Sequence, residues 1–212
     1  GREDILRTYD YLEHMELSGL LRKLHTARTI YCFGTGYAQR NAVQEFAKSM
    51  QVCGKFCHVI PARNEFESTM SAMNQDDVVI LVSFSGQTEN MREHVKMLAL
   101  RKIPMIAITA IGVNFMSSYA EYSLHYQTTP TQLSTQRKPY HSFVALSVLL
   151  DYIVRRYIDH VETQQRGNST KTAQVLESSE FSPETGALDV ADIRAQAGAA
   201  AIDRQHTDPS ET

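Results

Sequence analysis

Val78-Val79-Ile80-Leu81-Val82-Ser83-Phe84-Ser85-Gly86-Gln87-Thr88-Glu89-Asn90 changes character halfway along its length. Its first five residues are aliphatic without interruption, a pattern suited to a strand buried on both faces of a parallel sheet. The run then gives way to hydroxyl side chains around a glycine, and a helical pattern follows from residue 89. A helix starting there would turn unpaired backbone amides and the positive end of its dipole toward Ser83, Ser85 and Thr88. Hydroxyls, amides and a glycine that permits close approach are what a phosphate-sized anion requires. For any single hydroxyl, capping the helix is the ordinary role. Three on one turn favour a ligand loop.

Working forward, Met91, Val95, Leu98 and Ala99 mark the inner face of a helix over 89–102. Pro104 introduces a strand at 105–109. A turn at Gly112-Val113-Asn114 leads through a short helical piece to a last strand near Tyr122–Tyr126. Working backward, the spacing predicts a helix over 64–73 and a strand at 56–60 stopped by Pro61. Before these comes a helix from Tyr37 to Met50, with Ala42, Val43, Phe46, Ala47 and Met50 on one face. It follows a strand at 29–33 that ends in Gly34-Thr35-Gly36. An apolar stripe from Ile5 to Leu24 predicts a helix over 3–26, bent or divided at Ser18-Gly19. Strand and helix thus alternate about five times, which requires crossover connections and a parallel sheet covered on both faces. In such sheets ligands lie beyond the carboxyl ends of the strands. The loops at 34–38 and 83–88 both fall on that edge.

The chain has 212 residues, of which 42% are hydrophobic, enough for one ordinary domain with extensions. A formal net charge of −3 argues against a self-sufficient nucleic-acid binder. Cys32, Cys53 and Cys57 match neither a disulfide framework nor a zinc spacing, and the eight histidines are scattered. No metal and no cofactor is expected. No apolar run approaches membrane-spanning length, so a cytoplasmic protein without membrane contact is expected. Residues 127–138 are polar and framed by Pro130 and Pro139. An apolar helix follows from Tyr140 to about His160, interrupted by Asp151, Arg155 and Arg156 and suited to packing on the sheet or in a subunit interface. Beyond it the composition shifts to Ser, Thr, Gln, Ala and acids, so 162–212 is expected to be a flexible tail, with a transient helix over the Ala-rich 187–204.

Three functions compete for these loops. A dinucleotide-binding enzyme would use Gly34-Thr35-Gly36, but Gln39 stands at the third glycine position, and no acid ends the second strand. Arg63 could face a 2′-phosphate, yet the Ser-rich loop would remain unused. The other two readings bind a phosphosugar and either report or convert it. Gly34-Thr35-Gly36, Ser83-Phe84-Ser85-Gly86-Gln87-Thr88 and Lys102–Thr109 together resemble a sugar isomerase (SIS) domain, over roughly residues 25–160.

The resemblance implies a flavodoxin-like, three-layer αβα sandwich with a five-stranded parallel sheet, usually dimerised. It also implies a phosphosugar site at Gly34, Thr35, Gly36, Ser83, Ser85, Gly86, Gln87 and Thr88. The N-terminal helix and Ala47-Lys48-Ser49-Met50 ahead of Gly54 look like the effector domain of RpiR-type transcriptional regulators. On that reading residues 1–25 continue a linker from a helix-turn-helix domain absent from this chain, 26–161 bind the sugar phosphate, and DNA is reached only through the missing domain. A homodimer or homotetramer is implied. Ala38 stands where the family often has Ser, so the backbone and Gln39 must bind the phosphate at that point, or nothing does. Glu65-Phe66 lies where synthase-type relatives carry a catalytic base. Glu65 could equally be a first-turn acid favoured by the helix dipole, or bind a sugar hydroxyl. His141 is the available partner for an isomerase, though it opens an apolar helix, and Glu89 is read as a first-turn acid. A sensor without catalytic residues is preferred, with an aldose–ketose isomerase as the alternative.

Overall fold

The computed structural model describes residues 1–178, and side chains as far as Lys171. The chain divides into two units, Gly1–Gly167 and Asn168–Thr212. The first is built on five parallel strands: β1 (Ile30–Gly34), β2 (Cys57–Val59), β3 (Val78–Val82), β4 (Met105–Ala110) and β5 (Tyr122–Tyr126), in the spatial order β2-β1-β3-β4-β5. The aliphatic run Val78–Val82 is the central strand, pairing Ile30–Gly34 on one side and Met105–Ile108 through Val79–Val82 on the other. None of its residues is more than 1% exposed. Full burial of such a side chain stabilises by on the order of 1.5–3 kcal/mol, which is why the alternation seen in half-buried strands is missing.

Successive residues of each strand feed opposite layers. Ile30, Cys32, Val78, Ile80 and Val82 pack with helices α1 (Arg2–Glu13), α2 (Ser18–Thr26), α3 (Tyr37–Val52) and α7 (Val144–Ser178). Tyr31, Phe33, Val79 and Leu81 pack with α4 (Arg63–Ser71), α5 (Arg92–Leu100) and α6 (Phe115–Tyr119). The result is the three-layer αβα sandwich. The chain leaves β1 for β2 over one face and returns from β2 to β3 over the other, so β1 and β3 lie side by side with their connections running to opposite faces. Their carboxyl ends flank the switch point of the sheet, the crevice where open α/β sheets take their ligands.

Several element bounds differ from the sequence reading. The first helix divides between Glu13 and Ser18, where the Glu16 carboxylate accepts the Ser18 N–H at 2.6 Å, and Gly19 leaves room for Tyr122. The helix expected from residue 89 opens as a short 3₁₀ turn, Glu89–Met91, before α5. The last helix begins at Val144 rather than Tyr140, because Tyr140 is paired with Thr131 in an antiparallel bridge. It also runs on to Ser178, past the end set near His160: Glu162, Gln164, Gln165 and Arg166 are good helix formers, and no proline intervenes before Pro183. The remainder of the tail, including 187–204, lies outside the described residues. Among the described residues no helix is long and apolar enough to cross a membrane.

Candidate functional site

Gly34-Thr35-Gly36 and Ser83–Thr88 leave adjacent strands at the switch point. They are tied directly, because the Thr35 N–H donates to the Val82 carbonyl at 2.9 Å. Gly34 is the last residue of β1 and packs under the start of α3: a Cβ there would come within 2.4 Å of the Arg40 and Gln39 backbone. Gly36 is the N-cap of α3 and has no side chain to occupy the capping position. The first amides of this 16-residue helix, having no intrahelical partner, therefore open into the crevice.

The hydroxyls of the second loop shape the loop itself, and none caps a helix. The 3₁₀ turn and α5 have Thr88 and Met91 as N-caps, and neither gives a side-chain cap. Ser83, 1% exposed, accepts the Gly86 N–H at 3.1 Å and meets the Thr88 hydroxyl at 3.2 Å. Ser85, exposed, accepts the Gln87 N–H at 3.2 Å. Gly86 turns the chain at φ +64, and a Cβ there would lie 2.1 Å from Asn114 Oδ1. Asn114 is itself fixed: its Oδ1 accepts the Ser117 N–H to cap α6, and its Nδ2 donates to Thr109 Oγ1, both at 2.9 Å. Met116 N–H closes onto the Gly86 carbonyl. The loop is thus a preformed concavity, buried at Ser83 and Gly86 and open at Ser85 and Gln87.

Charge enters from a residue the sequence reading passed over. Arg92, first residue of α5, stacks its guanidinium 4.4 Å from the centre of the Phe115 ring, and its Nη2 lies 3.4 Å from Gln87 Oε1. It also pairs with the exposed Glu89, which agrees with reading that acid as a first-turn residue of the helix.

Gln39, the residue after Ala38, is 3% exposed, with its Oε1 tucked beneath Gly36 and its side chain against the Tyr126 hydroxyl. Its neighbour Tyr126, buried at the end of β5, has its hydroxyl pushed up to about 12 by burial, a neutral group at any ordinary pH. Glu65 is exposed on the first turn of α4, the layer opposite α3, and makes no ion pair among the described residues.

His141 is the larger surprise. Rather than opening the last helix on the surface, its half-buried ring lies 4.7 Å from that of Phe84, in the middle of the hydroxyl loop. Phe143 approaches the same ring at 5.8 Å. An opening of about 580 Å³ starts at Ala38 in the first turn of α3, passes Tyr140, Ser142 and Phe143 and continues between α3 and α7. It adjoins the hydroxyl loop only through Phe143 and takes none of its lining from residues 83–88. Where an anion would sit is therefore assigned from donors and charge, with the volume beside it suited to a small organic group.

Residues 23–155 match the family model of the SIS domain. The chain belongs to the SIS domain family. Among curated proteins the SIS chain is similar to the HTH-type transcriptional regulator GlvR of Bacillus subtilis (strain 168). The two are 23% identical over 166 residues, covering 78% of this chain and 65% of the regulator. The chain thus spans just under two thirds of that relative's length. Among solved structures it superposes on the sugar isomerase domain of the RpiR transcription factor from Sphaerobacter thermophilus with a TM-score of 0.64. Identity is 14%, over 82% of this chain and 95% of that one. The NanR protein of Vibrio vulnificus, solved as a complex with ManNAc-6P, gives a TM-score of 0.63 at 21% identity, covering 84% of this chain and 67% of that one. At these identities the structural likenesses speak to the SIS fold alone.

Proposed function

We propose that this chain is the phosphosugar-sensing effector domain of an RpiR-type transcriptional regulator. The observation that carries the proposal is the pairing of the two loops: a helix N-terminus behind Gly34-Thr35-Gly36 and the Ser83–Thr88 concavity, side by side at the switch point. The phosphate would take the α3 amides with Ser85, Gln87 and Thr88, while Ser83 and Gly86 hold the loop in shape. Arg92 at the rim adds a permanent positive charge. The sugar would extend past Phe84 toward His141, with Glu65 at the β2 side of the crevice. The likeness to GlvR supports a regulator, in which DNA would be read by a helix-turn-helix domain outside this chain and a homodimer or homotetramer would carry the response. Binding would act by its differential affinity for one arrangement of subunits.

The rival reading is an aldose–ketose isomerase, and the placement of His141 beside the hydroxyl loop is the observation in its favour. Catalysis would need a base within hydrogen-bond reach of the proton it moves. Glu65 is exposed in the opposite layer and has no orienting partner among the described residues. One experiment separates the two. The chain is titrated calorimetrically with hexose, amino-sugar and pentose phosphates and with inorganic phosphate, and each mixture is followed by NMR. Saturable binding without conversion is expected, lost by about 1.5–3 kcal/mol in Ser85→Ala with Thr88→Ala, the range for hydrogen bonds to a charged group. Turnover that disappears in Glu65→Gln would replace the sensor with the enzyme, and no binding at all would remove both.

A further inference from the structure

Residues 127–143 form a strap fastened at both ends. At its far end His141 and Phe143 pack on Phe84 of the hydroxyl loop. Its middle is pinched shut by Thr131 and Tyr140, whose backbones exchange two hydrogen bonds of 2.9 Å, so the excursion between them is a closed lobe. Thr128 spans the stem, its hydroxyl 3.4 Å from His141 Nδ1.

At its near end the strap is fastened to α1. Thr8 Oγ1 accepts the Gln127 N–H at 2.8 Å, and Asp4 Oδ1 accepts the Thr129 hydroxyl at 2.6 Å. One turn further along the same face, the ring of Tyr11 lies 6.3 Å from that of His125 at the end of β5. Asp4 and Thr8 are 3% and 0% exposed, although polar residues on a peripheral helix ordinarily face water. Burying them is costly unless they are hydrogen-bonded: Thr8 bonds the strap, and Asp4 divides its carboxylate between the strap and the Gly1 ammonium. The polar stripe of α1 is therefore specific for this segment, in a way that an apolar stripe alone would not be.

We propose that α1 positions His141: Thr8 and Asp4 set the strap, and the strap sets the imidazole over the sugar end of the site, so that the site and α1 are coupled. This rests on the phosphosugar reading above. The phosphate end, built from β1, α3 and the loop after β3, meets the strap through the Phe84 ring, which offers no donor to an anion. Variants of α1 should therefore affect recognition of the sugar and leave recognition of phosphate alone. Coupling is reciprocal, so a bound sugar phosphate that engages His141 tightens the seating of α1 by the same factor.

The test uses Thr8→Val, which keeps the shape and removes the acceptor, and Thr8→Ser, which keeps the hydroxyl. Calorimetry compares inorganic phosphate with the tightest-binding sugar phosphate of a hexose, amino-sugar and pentose phosphate panel. Thr8→Val should weaken the sugar phosphate about 3- to 10-fold, the scale of one hydrogen bond, and leave inorganic phosphate unchanged. Thr8→Ser should restore the wild-type value, and in a His141→Ala background Thr8→Val should cost nothing further. Equal loss for both ligands, no loss for either, or full additivity with His141→Ala overturns the proposal. A wild-type chain that binds no sugar phosphate would sink the functional reading instead. Amide hydrogen exchange in the free chain then decides the coupling: Thr8→Val must speed exchange as far along the strap as 140–143, and an effect confined to 127–129 overturns it.

Discussion

Gly86→Ala tests whether the hydroxyl loop is held in shape by the turn it makes. Two costs are separable. At φ +64 an L-residue loses about 1–2 kcal/mol to the left-handed conformation. The added methyl would also stand 2.1 Å from Asn114 Oδ1, 2.3 Å from its Cγ and 2.8 Å from its Cβ, so Asn114 must leave its place. That departure removes the cap on Ser117 N–H, about 1 kcal/mol, and the buried hydrogen bond to Thr109, about another. Together the single substitution should destabilise the fold by about 3–4 kcal/mol. Asn114→Ala alone should cost about 2 kcal/mol, from the same cap and hydrogen bond. In that background the Oδ1 and Cγ clashes are gone but the 2.8 Å contact with the Cβ of residue 114 remains, so Gly86→Ala should add at least the conformational 1–2 kcal/mol, roughly. Urea denaturation of the four proteins closes the cycle. The surviving folded fraction of Gly86→Ala should also lose affinity for inorganic phosphate, because Gly86 N–H and Ser83 Oγ no longer meet. A cost below about 1 kcal/mol with phosphate binding intact would refute both the strain and the shape argument, since it falls short of the conformational term alone.

The two serines should behave differently. Ser83→Ala strands the buried Gly86 N–H and should cost about 1–3 kcal/mol of stability by thermal or urea unfolding as well as weakening phosphate binding. Ser85→Ala, exposed, should change stability by less than about 0.5 kcal/mol and show its effect in calorimetry alone. At the opposite end of the sheet, burial alone would raise the pKa of Asp77, but the Arg28 guanidinium, bonding both its oxygens at 2.9 and 2.7 Å, and backbone donors hold it below the usual carboxylate value. The folded state then binds fewer protons than the unfolded one, so this stability is present above the unfolded pKa near 3.8 and is lost as pH falls through the lower folded value. The acid limb of an unfolding-versus-pH curve should flatten in Arg28→Ala.

The sheet was readable because each of its signals is local. An uninterrupted Val78–Val82 suits a strand buried on both faces, Pro61 and Pro104 bracket their strands, and five alternations leave few topologies. Even the switch point followed, since it depends only on the order in which loops leave the strands. Bounds failed where a tertiary contact competed with local preference. Tyr140–Phe143 carry a helical pattern, yet their backbone and rings are taken by Thr131 and Phe84. Glu89–Asn90 begin a helix in pattern, but the loop has already used its hydroxyls on its own amides, and the first turn tightens to 3₁₀.

The candidate site was legible in the same proportion. The eight residues from the two loops are contiguous in sequence and come together because their strands are neighbours. Arg92 and His141 reach the same region through side chains alone, and the α1 stripe reaches the strap that carries His141. Arg92 reads in sequence as one more charge on a helix face, and only its seat on Phe115 points it at Gln87. Asp4 and Thr8 had one local signal that could have exposed them. They interrupt the apolar stripe of α1 on the side of Leu12, a buried position at i+4 from Thr8 and i+8 from Asp4. A polar residue on the inward face of a helix is informative because it must find a partner there. Here the partners lie more than a hundred residues away, on the segment that also carries His141, so the helix nearest the start of the chain is the one fastened to the far side of the site.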